Sequence, residues 1–328
     1  MELYSFNQDK ILNNYNKLLE LYNNATSEEE KIKIYSNLKS LSRYIMHKKN
    51  QIIEPKNYKE ELSQRRKQII SSVIELDSLT RELCYYWSNN LYQITSFHNS
   101  FLSSFRINKE EYLNRILTFI KENFSEDLSL VKRTFDEGKI QVKKSLIMSK
   151  SEMYIFEMLN DFYINIIFNS KFSVKEVADT IHEFGHASEF INRKSPDVKV
   201  NILEETVSTL YEVKYIEDYF KYDIDLRNLE LIQLFKNAGQ VNYLNAAFKY
   251  EQSKEVIYKE HFKIVQRLYA HIISLTLLNQ RNFSNKVNYL KKYSSSFEPL
   301  ELLKKINISE DDLIYTAKNS KKLLLTRK

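Results

Sequence analysis

Residues 180–190 read TIHEFGHASEF and place His182 and His186 four positions apart, with Glu183 beside the first. On a helix, positions four apart lie on one face. Two imidazoles one turn apart can share one tetrahedral ion, and nitrogen donors completed by a carboxylate suit zinc. Glu183 would then act on a water at the metal rather than ligate it. Zinc lowers the pKa of a bound water from 15.7 to about 7, so a neighbouring carboxylate can complete its activation. Gly185 is the odd residue. The chain has only three glycines, and one inside a helix costs roughly 1 kcal/mol against alanine. A position without a side chain lets something approach the helix closely, either the substrate or a packed neighbour.

Catalytic zinc takes three protein ligands and keeps a fourth position open. The stretch LEETVSTLYE holds the candidates for the third. Glu204 and Glu205 stand at its start, and Glu205, Ser208, Thr209 and Glu212 form one polar stripe at helical spacing. A helix packed against the motif helix would aim Glu205 at the metal. Glu212, two turns on, would orient a histidine from behind. The bland alternative is a chance His-Glu-x-x-His in a helix that binds nothing.

These residues need elements to hold them. Ser173-x-x-Glu176 is a capping box that opens the motif helix. Ahead of it, DFYINIIFN sets Phe162, Ile164, Ile166 and Phe168 against Tyr163, Asn165, Ile167 and Asn169, which is the period of a strand. Residues 139–169 are therefore expected to form a small sheet of two to four strands. Most of the remainder has helical spacing. Two helices are expected in residues 1–50, the second opened by Ser27-x-x-Glu30. Helical character continues over 57–104, Asn108-x-x-Glu111 caps another helix, and one more ends at Gly138. After Pro196 a helix carries LEETVSTLYE. The rest is mostly helical, with a loop at SSSFEP and a last helix capped near Ser309. With three glycines and three prolines, the chain has little material for tight turns, so long helices follow. The expected class is mainly α, a large helical body with a small β-sheet next to the motif helix.

Composition narrows the function. Of 328 residues 43% are hydrophobic, enough for a sizeable core. The net charge of +6 is mild for this length and demands neither nucleic acid nor membrane. The basic run SQRRKQ at 63–68 reads as a solvated helix face. Cys84 stands alone, so there is no internal disulfide and no paired-cysteine metal site. The N-terminus lacks the charged-then-apolar layout of a secretory signal, and no stretch approaches the roughly 20 apolar residues of a membrane span. The expectation is a cytoplasmic protein with no nucleic acid and no membrane as partner. The oligomeric state is left open.

The chain resembles the thimet oligopeptidase and oligoendopeptidase F family of zinc metallopeptidases. SVKEVADTIHEFGHASEF is similar to that family's apolar run into His-Glu-x-Gly-His, where the glycine is habitual. EETVSTLYE is similar to its third-ligand helix, with Ser at plus three and Glu at plus seven. That favours Glu205 over Glu204 as the ligand. FYINIIFN resembles the strand ahead of the motif, and FEPLELLKKINIS the C-terminal segment. The similarity covers roughly residues 85–328. It implies a zincin-like peptidase architecture with a catalytic domain over 85–328 and a reduced helical lobe over 1–84. It implies one zinc ion on His182, His186 and Glu205, with Glu183 as general base and Glu212 and Gly185 behind the ligands. Short peptides would be the substrates, laid along the strand before the motif as along an exposed edge.

The departures bear on catalysis. Family members are much longer. The gap from His186 to Glu205 is shorter than usual, Glu189 stands where a further histidine is common, and Ser294, Ser295 and Ser296 replace a glycine-rich loop. EHFKIVQRLYAHIISL matches the region that donates hydrogen bonds to the oxyanion. It keeps Tyr269, with His261 and His271 nearby, but lacks the usual cluster of tyrosines. The alternative for each of these three is a packing residue, and His47 and His98 are assigned to structure. Three rival functions follow. They are a zinc-binding homologue that binds peptides without cutting them, a dedicated leader-peptide protease, and a helical or nucleic-acid-associated scaffold with a chance motif.

Overall fold

The computed structural model describes residues 2–45, 52–64, 76–91, 100–193, 202–236, 259–280, 282–294 and 297–325. In chain order the elements are strand β1 (Glu2–Tyr4), helices α1 (Gln8–Asn24), α2 (Glu28–Ser42), α3 (Asp77–Leu91), α4 (Lys109–Asn123) and α5 (Leu128–Asp136), and strands β2 (Ile140–Lys144), β3 (Lys150–Phe156) and β4 (Asp161–Phe168). Helices α6 (Val174–Asn192), α7 (Thr206–Tyr219), α8 (Ile224–Lys236), α9 (Lys259–Leu278), α10 (Phe283–Tyr293), α11 (Pro299–Lys305) and α12 (Glu310–Leu325) follow. The protein is mainly α with one small sheet. Among the described residues no helix is long and apolar enough to cross a membrane.

The chain divides into two compact units, each built from two separate segments. Residues 1–67 and 120–171 form the first, and residues 68–119 and 172–328 form the second. Residues 84 and 85 both lie within α3, in the second unit.

The first unit holds the sheet, in the order β1-β2-β4-β3. Strand β4 runs parallel to β2 and antiparallel to β3. The β3–β4 reversal passes through a short turn at Glu157–Leu159 and Asn160, which takes a left-handed conformation at φ 47°. Phe6, Ile11, Tyr15, Leu18, Ile34, Leu38 and Leu41 pack on Phe156 and Tyr163 as one core. Asn14 donates to both Asp161 (2.8 Å) and the Tyr163 hydroxyl (2.9 Å). Gly138 ends α5 at φ +63°, as the sequence suggested.

One expectation fails here. Strand β4 is an interior strand, and β2 and β3 occupy both its edges, so it has no free edge for an extended peptide. It is buried along nearly its whole length, including the polar side of its alternation, where Tyr163 and Asn165 lie inside. Alternation identified the strand but could not tell a half-buried strand from one covered on both faces.

The second unit is helical. Its centre is α6, buried on most of its faces, which packs most extensively on α7 and also on α10. Helix α9 lies against α7 and α12, and α12 against α3. Trp87 of α3 meets Phe235 of α8 edge-on at 5.8 Å.

Candidate active site

The motif helix starts where the sequence says it should. Ser173 and Glu176 form a reciprocal capping box, the Ser173 backbone donating to Glu176 at 2.8 Å. Two backbone bonds tie the residues around Ser173 to the segment ahead of α4, one from Val174 to Phe105 (2.9 Å) and one from Ile107 to Phe172 (3.5 Å). The Tyr112 and Thr180 hydroxyls meet at 2.6 Å. With its start pinned, α6 holds His182 and His186 on one face, their rings 5.1 Å apart.

Helix α7 supplies the rest. Glu205 is its N-cap residue and its backbone carbonyl accepts from Ser208 Oγ at 3.0 Å. One carboxylate oxygen of Glu205 lies 3.6 Å from His182 Nε2 and 3.7 Å from His186 Nε2. The three candidate ligand atoms all lie within 4.8 Å of one another. Bonds of about 2.0–2.2 Å in a tetrahedral site set neighbouring ligand atoms roughly 3.3–3.6 Å apart, so the trio fits zinc with little movement. His182, His186 and Glu205 keep 19%, 17% and 21% of their side-chain exposure, so they are largely buried but still reached by solvent.

Gly185 explains how the two helices come so close. A Cβ built there would stand 2.5 Å from the Ser208 Cα, 3.0 Å from its nitrogen and 3.1 Å from the Val207 carbonyl oxygen. The neighbour that needs the space is therefore the backbone of α7, three residues past Glu205. The glycine lets α7 press onto α6 at the level of the histidines, and this sets the reach of Glu205.

Glu212 stands behind His182, its carboxylate 3.0 Å from Nδ1. A carboxylate only accepts, so Nδ1 carries a proton, and Nε2 is the nitrogen turned to Glu205. Burial alone would push both imidazoles down. For His182 the contacts with Glu205 and Glu212 more than reverse this and hold it well above its usual value, and Glu205 does the same for His186. Burial would raise Glu205 and Glu212, but the histidines hold both below the usual carboxylate range. The cluster thus favours positive charge at its centre. Glu183 is buried on the same helix, and its charge acts on both imidazoles.

The sequence reading missed the wider stripe to which these residues belong. Lys175, Asp179, His182, His186, Glu189 and Arg193 follow one another along α6 at spacings of three and four. The signal was visible in the spacing alone. Lys175 bonds both oxygens of Asp179, at 2.7 and 2.6 Å, and also lies close enough for Glu212 to favour its charge. At the other end, Glu189 accepts from Ser294 Oγ and lies 4.0 Å from Arg193. Burial pushes the Glu189 carboxyl up to about 7, against the pull of Ser294 and Arg193. Glu204 points elsewhere and accepts from Gln266 of α9 at 3.2 Å.

Not every candidate joins the site. Tyr269 is fully buried, and its hydroxyl lies 3.1 Å from the Thr80 hydroxyl of α3. Burial raises its pKa. The structure places this hydroxyl in a core contact between α9 and α3. His271, two residues on, points toward the opposite flank of α9. Its ring stacks obliquely on Phe235 at 5.1 Å, and the charges of Glu212, His182 and Glu205 act on it. Burial pushes its pKa down to about 4, so the imidazole is neutral at pH 7. The backbone of His261 lies in α9, and its side chain, like His47 and His98, falls outside the described residues.

No family model and no curated protein matches the chain. Among solved structures it is similar to "Crystal structure of a putative oligoendopeptidase F from Bacillus anthracis str. Ames", at 14% identity and a TM-score of 0.53 over 90% of this chain. The two share a fold. The match spans 62% of that protein's length. At this identity the likeness speaks for the fold alone, and the chemistry rests on the side chains already described.

Proposed function

We propose that the chain is a zinc-dependent metalloendopeptidase acting on short peptides. The observation that carries this is the convergence of His182, His186 and Glu205, from two helices, on one point. Bound there, zinc would polarise the scissile carbonyl and acidify the attacking water. The chain's own groups have distinct tasks. His182 and His186 present Nε2, and Glu212 fixes the His182 tautomer. Glu183 accepts the proton of the attacking water and passes it to the leaving amine.

A second reading draws on Tyr269. With that hydroxyl buried in the core, the site lacks one expected oxyanion donor, and a zinc-binding protein that holds peptides without cutting them becomes the rival. One experiment separates the two. Wild type and Glu183→Gln are loaded with zinc and incubated with a peptide library, and the products are read by mass spectrometry. Cleavage by wild type alone, with one zinc on each protein, supports the peptidase. Equal cleavage by both would remove Glu183 from the mechanism, and silence of a zinc-loaded wild type would favour the binder.

A further inference from the structure

The turn between β2 and β3 is built against the usual chemistry of turns. Connecting segments favour Gly, Asn, Asp, Ser and Pro. Residues 145–149 read SLIMS, and three consecutive apolar side chains stand in water. Leu146 is 92% exposed, Ile147 89% and Met148 49%. Single exposed apolar residues are ordinary on any surface, whereas three in a row at one tip are not. The turn is held in place. Ser145 donates its backbone N–H to the Phe168 carbonyl at 2.8 Å, and the Ile147 backbone donates to Ser145 Oγ at 3.2 Å.

The base of the turn is cationic. In the sheet register Lys144 lies opposite Phe168 and Lys150 opposite Ile167, so both lysines flank the end of β4 from which the tip projects. Lys143 precedes them, and Lys171 follows β4 at the same end of the sheet. Two acids offset part of this charge: Glu152 pairs with Lys150, and Glu2 stands opposite Lys143 in the register. Lys143, Lys144 and Lys150 against Glu2 and Glu152 leave the surroundings of the tip positive.

We propose that this tip docks the protein on an anionic lipid surface, with Leu146, Ile147 and Met148 entering the boundary between headgroups and acyl chains and the lysines facing the phosphates. A stable protein partner needs roughly 800 Å² on each side, and a turn of three side chains offers a small part of that. A bilayer sets no such requirement, since a fluid interface closes around a narrow tip. The ring of lysines matches acidic headgroups. This inference is independent of zinc and of peptide cleavage, because tip and lysines all lie within the sheet-bearing unit.

Flotation with vesicles of phosphatidylglycerol mixed with phosphatidylcholine, and of phosphatidylcholine alone, tests it. Wild type is expected to float with the acidic vesicles, to release at high salt and to bind neutral vesicles far more weakly. Burying one Leu or Ile side chain is worth about tenfold or more in partitioning, so the double substitution Leu146→Asp, Ile147→Asp should lower binding by at least tenfold. Lys144→Glu with Lys150→Glu should lower it on acidic vesicles alone, by about fivefold for each lysine removed. Both pairs are exposed, and losing the Lys150–Glu152 pair costs about 1 kcal/mol at most, so the thermal melt should move little. If one double variant fails to fold, the other carries the test. Wild type that stays in the buffer beneath acidic vesicles would overturn the proposal, as would tip variants that float like wild type. Self-association abolished by the tip variants, without vesicle binding, would overturn it in favour of a contact between copies.

Discussion

Substituting Gly185 by alanine sets two effects against each other. Alanine is the better helix former by about 1 kcal/mol, so in an open helix the change would stabilise. Here the new Cβ would lie 2.5 Å from the Ser208 Cα, and ordinary contact begins at 3.4 Å. The obstacle is three adjacent backbone atoms of α7, so no side chain can swing away. The helices must part by about 1 Å near Ser208. Overpacking of this kind costs about 1–3 kcal/mol. Net of the helix gain, Gly185→Ala should destabilise the protein by about 0–2 kcal/mol. The larger effect falls on the metal. Glu205 lies three residues from the displaced atom, and ligand distances tolerate about ±0.2 Å. Zinc affinity should therefore fall by about tenfold or more. Chelator competition gives the affinity, and thermal melts with and without zinc give the stability. A variant that melts above wild type and binds zinc equally well would show that α6 and α7 are not held together at this point.

Other positions give independent tests. Glu212→Gln should weaken zinc binding by about 10–100-fold, the usual effect of losing a ligand's hydrogen-bond partner, and chelator competition measures it. Glu189 has an ordinary value of 4.5 and a folded value of about 7. Between these the folded state keeps a proton that the unfolded state has lost, so stability should fall as pH rises through that window, by about 3 kcal/mol in all. Glu189→Gln should flatten this slope in denaturant unfolding at pH 5 and pH 8, and an unchanged slope would refute the assignment. Tyr269→Phe should lower stability by about 0.5–1.5 kcal/mol through loss of the Thr80 contact while leaving the peptide cleavage rate untouched. A large fall in rate with an unmoved melt would return Tyr269 to the chemistry.

The sequence by itself determined the local facts. Caps at Ser27, Asn108 and Ser173 and the stop at Gly138 marked element ends because each acts within one turn of backbone. Helical spacing put His182 and His186 on one face, and the stripe of Glu205 and Glu212 was legible for the same reason. What lay beyond reach was everything set by distant packing. The enclosure of β4 depends on β2 and β3, which alternation along one strand cannot report. Tyr269 and His271 stand two residues apart on one helix. Only the surrounding helices decide that one hydroxyl meets Thr80 while the neighbouring ring stacks on Phe235 and feels the charges of Glu212, His182 and Glu205. Gly185 belongs to both accounts. Its type was visible in the sequence, but the reason for it is the backbone of Ser208, which folding brings against a position 23 residues earlier in the chain.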